Sequence, residues 1–250
     1  MQTSDWNKWD AQNYLQEFYG NDVAADEIET ILFLSRLAKN NPASKILDFG
    51  CGPTLHHIFP FAPHVSEIHL ADLLNSNLKE ISKYLNNEIG SHSWDQYIEY
   101  ALSCESQNTV TKKAIHERKR ETRRKVTKLI EANARNQDPL GPDGRGTYPI
   151  VMSCFCADSA TDHHNEFAML IENIASLVEP GGLFIVTCLR NATFYKAKHS
   201  FFPSANVDEK LLGSVLIRNF IPDTVEITVK HLPNHADQGY TGIIMATARK

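Results

Sequence analysis

The sequence predicts one α/β domain over residues 1–250, a mostly parallel sheet with helices on both faces and an antiparallel strand at its C-terminal end. Three observations predict it. Apolar residues alternate along the chain between helical spacing and short continuous runs, the pattern of strands buried on both faces. A glycine-rich turn follows the first such run and an acidic residue ends the second. The last two runs, Val225 to Lys230 and Gly242 to Ala248, have no helix between them. A parallel return needs about a dozen residues or more, usually as a helix, so that pair is expected to be antiparallel.

Taken in order, residues 5–19 carry Trp6, Trp9, Tyr14, Leu15, Phe18 and Tyr19 and predict an aromatic-rich helix ending at Gly20. Residues 26–38 predict a second helix, with Ile28, Ile31 and Leu32 at helical spacing and Asp26 and Glu27 suited to its first turn. Together residues 1–40 are expected to form a helical lid. Lys45 to Phe49 and Glu67 to Ala71 read as strands, and Asn75 to Leu85 as a helix with Leu78, Ile81 and Leu85 on one face. Tyr97 to Leu102 reads as a third strand. Residues 111–132 read as one long amphipathic helix, within a helical and loop insertion spanning 104–146 that ends in Asp138 to Gly146.

Tyr148 to Ser153 predicts a fourth strand. Phe167, Leu170, Ile171, Ile174 and Val178 form an apolar stripe on a helix that stops at Pro180-Gly181-Gly182, and Leu183 to Leu189 is a continuous apolar strand. A last helix is expected to start at Asn206 as N-cap, with Glu209 at the capping-box position and Val207, Leu211 and Val215 inward.

Composition narrows the class. The chain is 42% hydrophobic and 22% charged with a net charge of −5. No apolar run approaches the ~18 residues of a membrane helix, and the opening residues lack a basic stretch followed by an apolar run, so neither a membrane span nor a leader is expected. Cys51, Cys104, Cys154, Cys156 and Cys188 are too few and scattered for a disulfide framework, which predicts a reduced, cytoplasmic protein. Between Lys112 and Lys128 nine Lys/Arg face two Glu, a local +7, whereas the remaining 16 basic and 28 acidic residues give −12. A broad nucleic-acid surface does not suit a chain that is acidic elsewhere. The Lys113/Glu117 and Glu121/Lys125 pairs and the inner Val126, Leu129 and Ile130 fit a solvated helix instead.

The chemistry-bearing unit is Asp48-Phe49-Gly50-Cys51-Gly52-Pro53-Thr54, with Asp72 ending the second strand. Gly50 and Gly52 permit a tight turn and close approach of backbone to a ligand. Asp72 stands 20 residues beyond Gly52, where a carboxylate meets ribose hydroxyls. A dinucleotide site calls for a third glycine at position 55, which here is Leu55, and an Asp precedes the glycines. That combination suits a nucleoside without phosphates, S-adenosylmethionine rather than NAD.

The N-terminal Tyr14-Leu15-Gln16-Glu17-Phe18-Tyr19, the Asp48 to Thr54 loop and the Leu177-Val178-Glu179-Pro180-Gly181-Gly182 turn resemble the nicotinamide, phenylethanolamine and thioether S-methyltransferase family. Trp94-Asp95, Pro139-Leu140-Gly141 and the closing Ala248-Arg249-Lys250 fit as well, so the resemblance covers nearly the whole chain. It implies a Rossmann-like class I methyltransferase fold and S-adenosyl-L-methionine as methyl donor. It further implies that Tyr14 and Tyr19 close over the cofactor, Tyr14 also facing the acceptor. Gly50, Cys51, Gly52 and Thr54 would line the methionine part, Asp72, Leu73 and Asn77 the ribose side, and Asn133-Ala134 the adenine, Asn133 standing where the family has Asp. His56 and Cys154 are cofactor-side positions where relatives have Tyr and Thr.

For the acceptor, the resemblance places Tyr195 and Ser204 beside the substrate. Cys188 replaces the carboxylate with which the nicotinamide enzyme grips its amide, which argues against nicotinamide. Phe202 to Val207 and His235 to Tyr240 resemble a bacterial branch of specialised metabolism that includes guanidine N-methyltransferases of guanitoxin-type biosynthesis.

Methyl transfer from a sulfonium is an in-line displacement, so positioning and exclusion of water do most of the work. Asp237 and Asp158 are candidate carboxylates for a cationic acceptor, Tyr240 a candidate wall, and Arg190 a candidate partner for a substrate carboxylate. His56-His57 and His163-His164 have no zinc-like spacing and read as solvated histidines, and Cys156 reads as buried packing. The expected protein is a monomeric N-methyltransferase of a small amine, guanidine or N-heteroaromatic. The other readings are an RNA methyltransferase using residues 112–128, O- or S-methylation of a metabolite, and a non-catalytic scaffold.

Overall fold

The computed structural model of the chain describes residues 6–106, 109–141, 148–197, 200–232 and 239–250. A single 3-10 turn, Trp6–Lys8, leads into α1 (Ala11–Tyr19), capped by the Asp10 side chain, which accepts from Asn13 N. Then follow α2 (Ala25–Asn40), β1 (Ala43–Phe49), a 3-10 turn at His56–Ile58, β2 (Val65–Asp72) and α3 (Asn75–Leu85). Next come α4 (Asp95–Glu105), α5 (Lys112–Lys125), β3 (Val126–Glu131), β4 (Tyr148–Cys154) and α6 (His164–Ala175). The chain ends with β5 (Val178–Arg190), the hairpin β6 (Phe194–Ala197) and β7 (Ser200–Pro203), α7 (Glu209–Asn219), β8 (Glu226–His231) and β9 (Gly242–Arg249).

Seven strands form one sheet in the order β3-β2-β1-β4-β5-β9-β8. All neighbours pair in parallel except β9, which runs antiparallel to both β5 and β8. Alternate residues of each strand feed two cores. Ile46, Ile68, Leu70, Met152 and Ile185 pack with α2 and α4 through Ile31, Leu34, Tyr97 and Ile98. Leu47, Phe49, Val151, Phe184 and Val186 pack with α6 and α7 through Phe167, Ile171, Leu212 and Val215. Among the described residues no helix is long and apolar enough to cross a membrane.

The structure corrects the sequence reading in several places. The helix α6 ends at Ala175, and Val178 and Pro180-Gly181-Gly182 lie in β5. Residues 97–102 are helical, part of α4. Counted from Trp94, the buried positions Trp94, Tyr97, Ile98 and Ala101 recur at i, i+3, i+4 and i+7, a helical period that a window starting at Tyr97 hides. The helix expected over 111–132 stops at Lys125, and 126–131 is the edge strand β3, so the 104–146 segment contributes to the sheet itself. Leu129 and Ile130 then pack into opposite cores, as the alternation of side chains along a strand requires. α7 is capped by Asp208, which accepts from Leu211 N, while Asn206 holds a left-handed φ of 50°. The β6–β7 hairpin had no signal strong enough to separate it from a loop.

Candidate active site

At the carboxyl ends of the parallel strands lies a cavity of about 520 Å³, within the size range of small-molecule sites. Its floor is the turn after β1. Gly50 and Gly52 adopt left-handed φ values of 72° and 61°. The Gly50 and Cys51 amides both donate to Ala71 O, and Thr54 Oγ1 donates to Cys51 O at 2.7 Å. A side chain on Gly50 would collide with the Cys156 sulfur, so this position needs glycine for space as well as for φ.

Asp72 fixes the turn. Its carboxylate accepts from Gly52 N at 2.8 Å, Leu74 N at 2.8 Å and Asn77 Nδ2 at 2.9 Å. Burial pushes its pKa up, opposed by these donors. Asp48, beneath the loop, is buried with neither carboxylate oxygen hydrogen-bonded, and burial, with Asp72 nearby, pushes it up to about 8. On the neighbouring strand end, Asn133 accepts from Arg135 N at 2.9 Å, so Asn in place of Asp closes a turn beside the cavity.

α1 roofs the cavity. Trp9 Nε1 donates to Asn77 Oδ1 at 2.7 Å, and the Tyr14 ring lies 4.6 Å from that of Trp9 and 5.7 Å from that of Tyr19. The hairpin closes a second side. Tyr195 stacks on Phe202 at 5.2 Å, and Phe202 in turn stacks on Trp6 at 5.6 Å, joining the first described turn to residues nearly two hundred positions away. Tyr240 completes the wall and donates to Asp26 Oδ2 at 2.9 Å. Burial raises the pKa of Tyr14, Tyr195 and Tyr240, keeping the three phenols protonated. Phe155, at the carboxyl end of β4, lines the cavity with a φ of 52°, a strained value for an aromatic residue.

The cavity brings together Tyr14, Tyr19, Gly50, Cys51, Gly52, Thr54, Asp72, Leu73, Asn77, Asn133, Ala134, Cys154, Tyr195 and Tyr240. It does not bring in the rest. Ser204 is buried and outside it, its amide bonded to Thr193 O, because the chain after β7 folds onto Asp158 O and Ala192 O. Asp158 is buried away from it, accepting from Leu189 N at 2.9 Å, with burial raising it to about 7. Arg190 is held by Glu209 at 2.9 and 3.1 Å. Cys188 is wholly buried between the sheet and α7. Asp237 lies outside the described residues.

His56 is not solvated, nor does it line the cavity. It is fully buried, and its Nε2 lies 2.7 Å from Glu27 Oε2. His57 is also buried but does line the cavity, whereas His163 and His164 are exposed as expected. Burial lowers His56 to about 3 and His57 well below the usual histidine range. Glu27 is the main residue that the sequence reading missed as a site group. The signal was present: Glu27 sits on the buried stripe of α2 with Ile31, Leu34 and Ala38, at i+4, i+7 and i+11, where a charged residue needs a reason.

The basic helix turns inward. Arg118 is buried and pairs with Glu105 through both guanidinium nitrogens, at 2.8 and 2.7 Å, while also donating to Phe59 O. Lys125 donates to Ala62 O, and Arg123 lies over the Tyr84 ring at 4.3 Å. These contacts dock α5 on the domain and remove much of its charge from a nucleic-acid surface.

A Rossmann-like sheet in this order, with a glycine turn at β1, a carboxylate ending β2 and an aromatic roof, defines a class I S-adenosylmethionine-dependent methyltransferase. The family model of the NNMT/PNMT/TEMT family matches residues 1–250, and the chain belongs to that family. It is 24% identical over 210 residues to phenylethanolamine N-methyltransferase of Macaca mulatta, covering 82% of this chain and 73% of that protein. It is 24% identical over 200 residues to nicotinamide N-methyltransferase of Sus scrofa, covering 77% and 74%. The N-methyltransferase NodS from Bradyrhizobium japonicum shares the fold at a TM-score of 0.55 with 15% identity, over 92% of this chain and 99% of that one. S-adenosylmethionine is the methyl donor, and the left-handed glycines, the Asp72 carboxylate and the cavity volume suit a nucleoside with an amino-acid tail.

Proposed function

We propose that the protein transfers a methyl group to a nitrogen of a small acceptor, an amine, guanidine or N-heteroaromatic, bound between Tyr14, Tyr195 and Tyr240. The observation that carries this reading is a single cavity joining the Gly50–Asp72 floor to that aromatic wall. S-adenosylmethionine supplies an electrophilic methyl on a sulfonium, whose carbon–sulfur electron pair stays on sulfur as the acceptor lone pair forms the new bond. Gly50, Gly52 and Thr54 would hold the amino-acid part, and Asp72 and Asn77 the ribose. Tyr14 and Tyr195 would clamp the acceptor in line with the methyl group, where orientation supplies much of the rate. Because burial keeps the wall phenols protonated, they position rather than deprotonate, which suits a nitrogen carrying its own lone pair.

The test is S-adenosylhomocysteine production by the purified protein over amines, guanidines, N-heteroaromatics, thiols, carboxylates and bulk RNA. Turnover of a small nitrogen compound supports the reading. Turnover confined to thiols, carboxylates or RNA overturns it.

A further inference from the structure

One cluster in the cavity wall is not explained by cofactor binding or by stacking on an acceptor. Glu27 reaches it from α2, and His56 and His57 from the 3-10 turn that follows the glycine loop. All three are buried, at 7%, 0% and 5% exposure. Glu27 Oε2 lies 2.7 Å from His56 Nε2 and 3.9 Å from His57 Nε2, and one donor atom from each residue falls within 4.8 Å of the others.

The angles are as informative as the distances. Despite the 2.7 Å approach, neither Nε2 nor Glu27 Oε2 makes an aligned hydrogen bond, and both Nδ1 atoms also lack a partner. The three lone-pair donors therefore converge without satisfying one another. Donors around an ion with bonds of ~2.0–2.2 Å lie roughly 3–4 Å apart; the 3.9 Å pair falls in that range and the 2.7 Å pair lies just short of it. The other Glu27 oxygen accepts from Tyr19 OH at 3.1 Å, the kind of outer contact that orients a ligating carboxylate. Among the described residues no Lys or Arg pairs with Glu27, so a buried carboxylate faces two imidazoles with no fixed cation to balance it.

We propose that Glu27, His56 and His57 form a binding site for a divalent first-row transition ion of the zinc, cobalt, nickel or ferrous class. Two imidazoles and one carboxylate suit these ions, whereas magnesium and calcium take oxygen donors. Three protein ligands leave at least one coordination position open. Glu27 and His57 line the cavity that Tyr14, Phe155 and Tyr240 also line, so an acceptor in the cavity lies on the ligand side of the ion, and an open position there would select molecules with a donor atom beside the methylated one. That selection rests on the methyltransferase reading; ion binding does not.

The test titrates Co2+ into full-length protein stripped with a chelator, recording visible absorption, and then displaces it with Zn2+. S-adenosylhomocysteine binding, measured in parallel, reports that the fold and cofactor site are intact. One Co2+ per chain is expected, with intense bands of four- or five-coordinate, nitrogen-ligated cobalt. His57→Ala and Glu27→Gln are expected to weaken binding at least about 100-fold, while the exposed pair changed together, His163→Ala with His164→Ala, leaves it unchanged. Protein that binds S-adenosylhomocysteine but no Co2+ overturns the site. So does Co2+ affinity that survives both Glu27→Gln and His57→Ala, or that disappears with the His163/His164 pair.

Discussion

The indole nitrogen of Trp9 donates to the side-chain oxygen of Asn77 at 2.7 Å, and Asn77 in turn donates to Asp72 at 2.9 Å. The roof is thus bonded to the same carboxylate that shapes the floor, across 68 residues of sequence between Trp9 and Asn77. Closure of the N-terminal segment and order in the glycine turn are parts of one hydrogen-bonded unit.

Trp9→Phe keeps an aromatic ring against Tyr14 and Phe202 but deletes the donor. A net hydrogen-bond contribution of about 0.5–1.5 kcal/mol predicts roughly 2- to 12-fold weaker S-adenosylhomocysteine binding by calorimetry, with the thermal midpoint little changed. Unaltered affinity would show that the roof does not report on the cofactor.

Asp72→Ala removes the acceptor of three internal donors as well as the expected ribose contact. Cofactor affinity should fall by about 1.5–3 kcal/mol, roughly 12- to 140-fold. Because one of the lost partners is the Gly52 amide of the turn, the on-rate should fall too, which stopped-flow fluorescence of Trp9 and Trp6 can read. Loss through faster release alone would separate the ribose contact from loop order.

Asp48 gives a pH signature. Its folded pKa of about 8 lies above the unfolded value of ~3.9, so the native state holds the extra proton between those limits. For this group, stability is highest at low pH and declines as pH rises toward 8, beyond which the loss levels off. Asp48→Asn should therefore raise the thermal midpoint increasingly from pH 5 to pH 8, approaching about 2–4 kcal/mol of stability in cofactor-free protein. A gain of the same size at pH 5 as at pH 8 would contradict a titrating Asp48.

Arg120 and Arg124 are exposed on α5, unlike Arg118. Reversing both to Glu should leave turnover of a small acceptor, and its salt dependence, unchanged within about twofold, since exposed charges far from a site are screened beyond ~10 Å. Arg118→Ala should instead lower the thermal midpoint, because it strands Glu105 and leaves Phe59 O without its donor. Activity that falls with Arg120 and Arg124 reversal while the fold holds would return α5 to the substrate side.

Short-range pattern was enough for much of this protein. The Asp48–Thr54 turn, Asp72 one strand later and the antiparallel ending follow from residues close in sequence, because glycine φ, strand period and crossover length are local constraints. The edge strand β3 escaped because a basic helix runs straight into it, and only pairing with β2 decides that Val126–Glu131 extends. Tertiary packing also decided which candidates share a cavity. Ser204 at a family-like position and Arg190 at a strand end carry the right chemistry, yet the backbone buries one and Glu209 holds the other. Glu27, His56 and His57 read as an ordinary helix start and two solvated rings, and they became a cluster only when α2 packed against the turn after β1. A carboxylate and two imidazoles at 2.7 and 3.9 Å depend on how those elements dock, and no spacing along the chain encodes that distance.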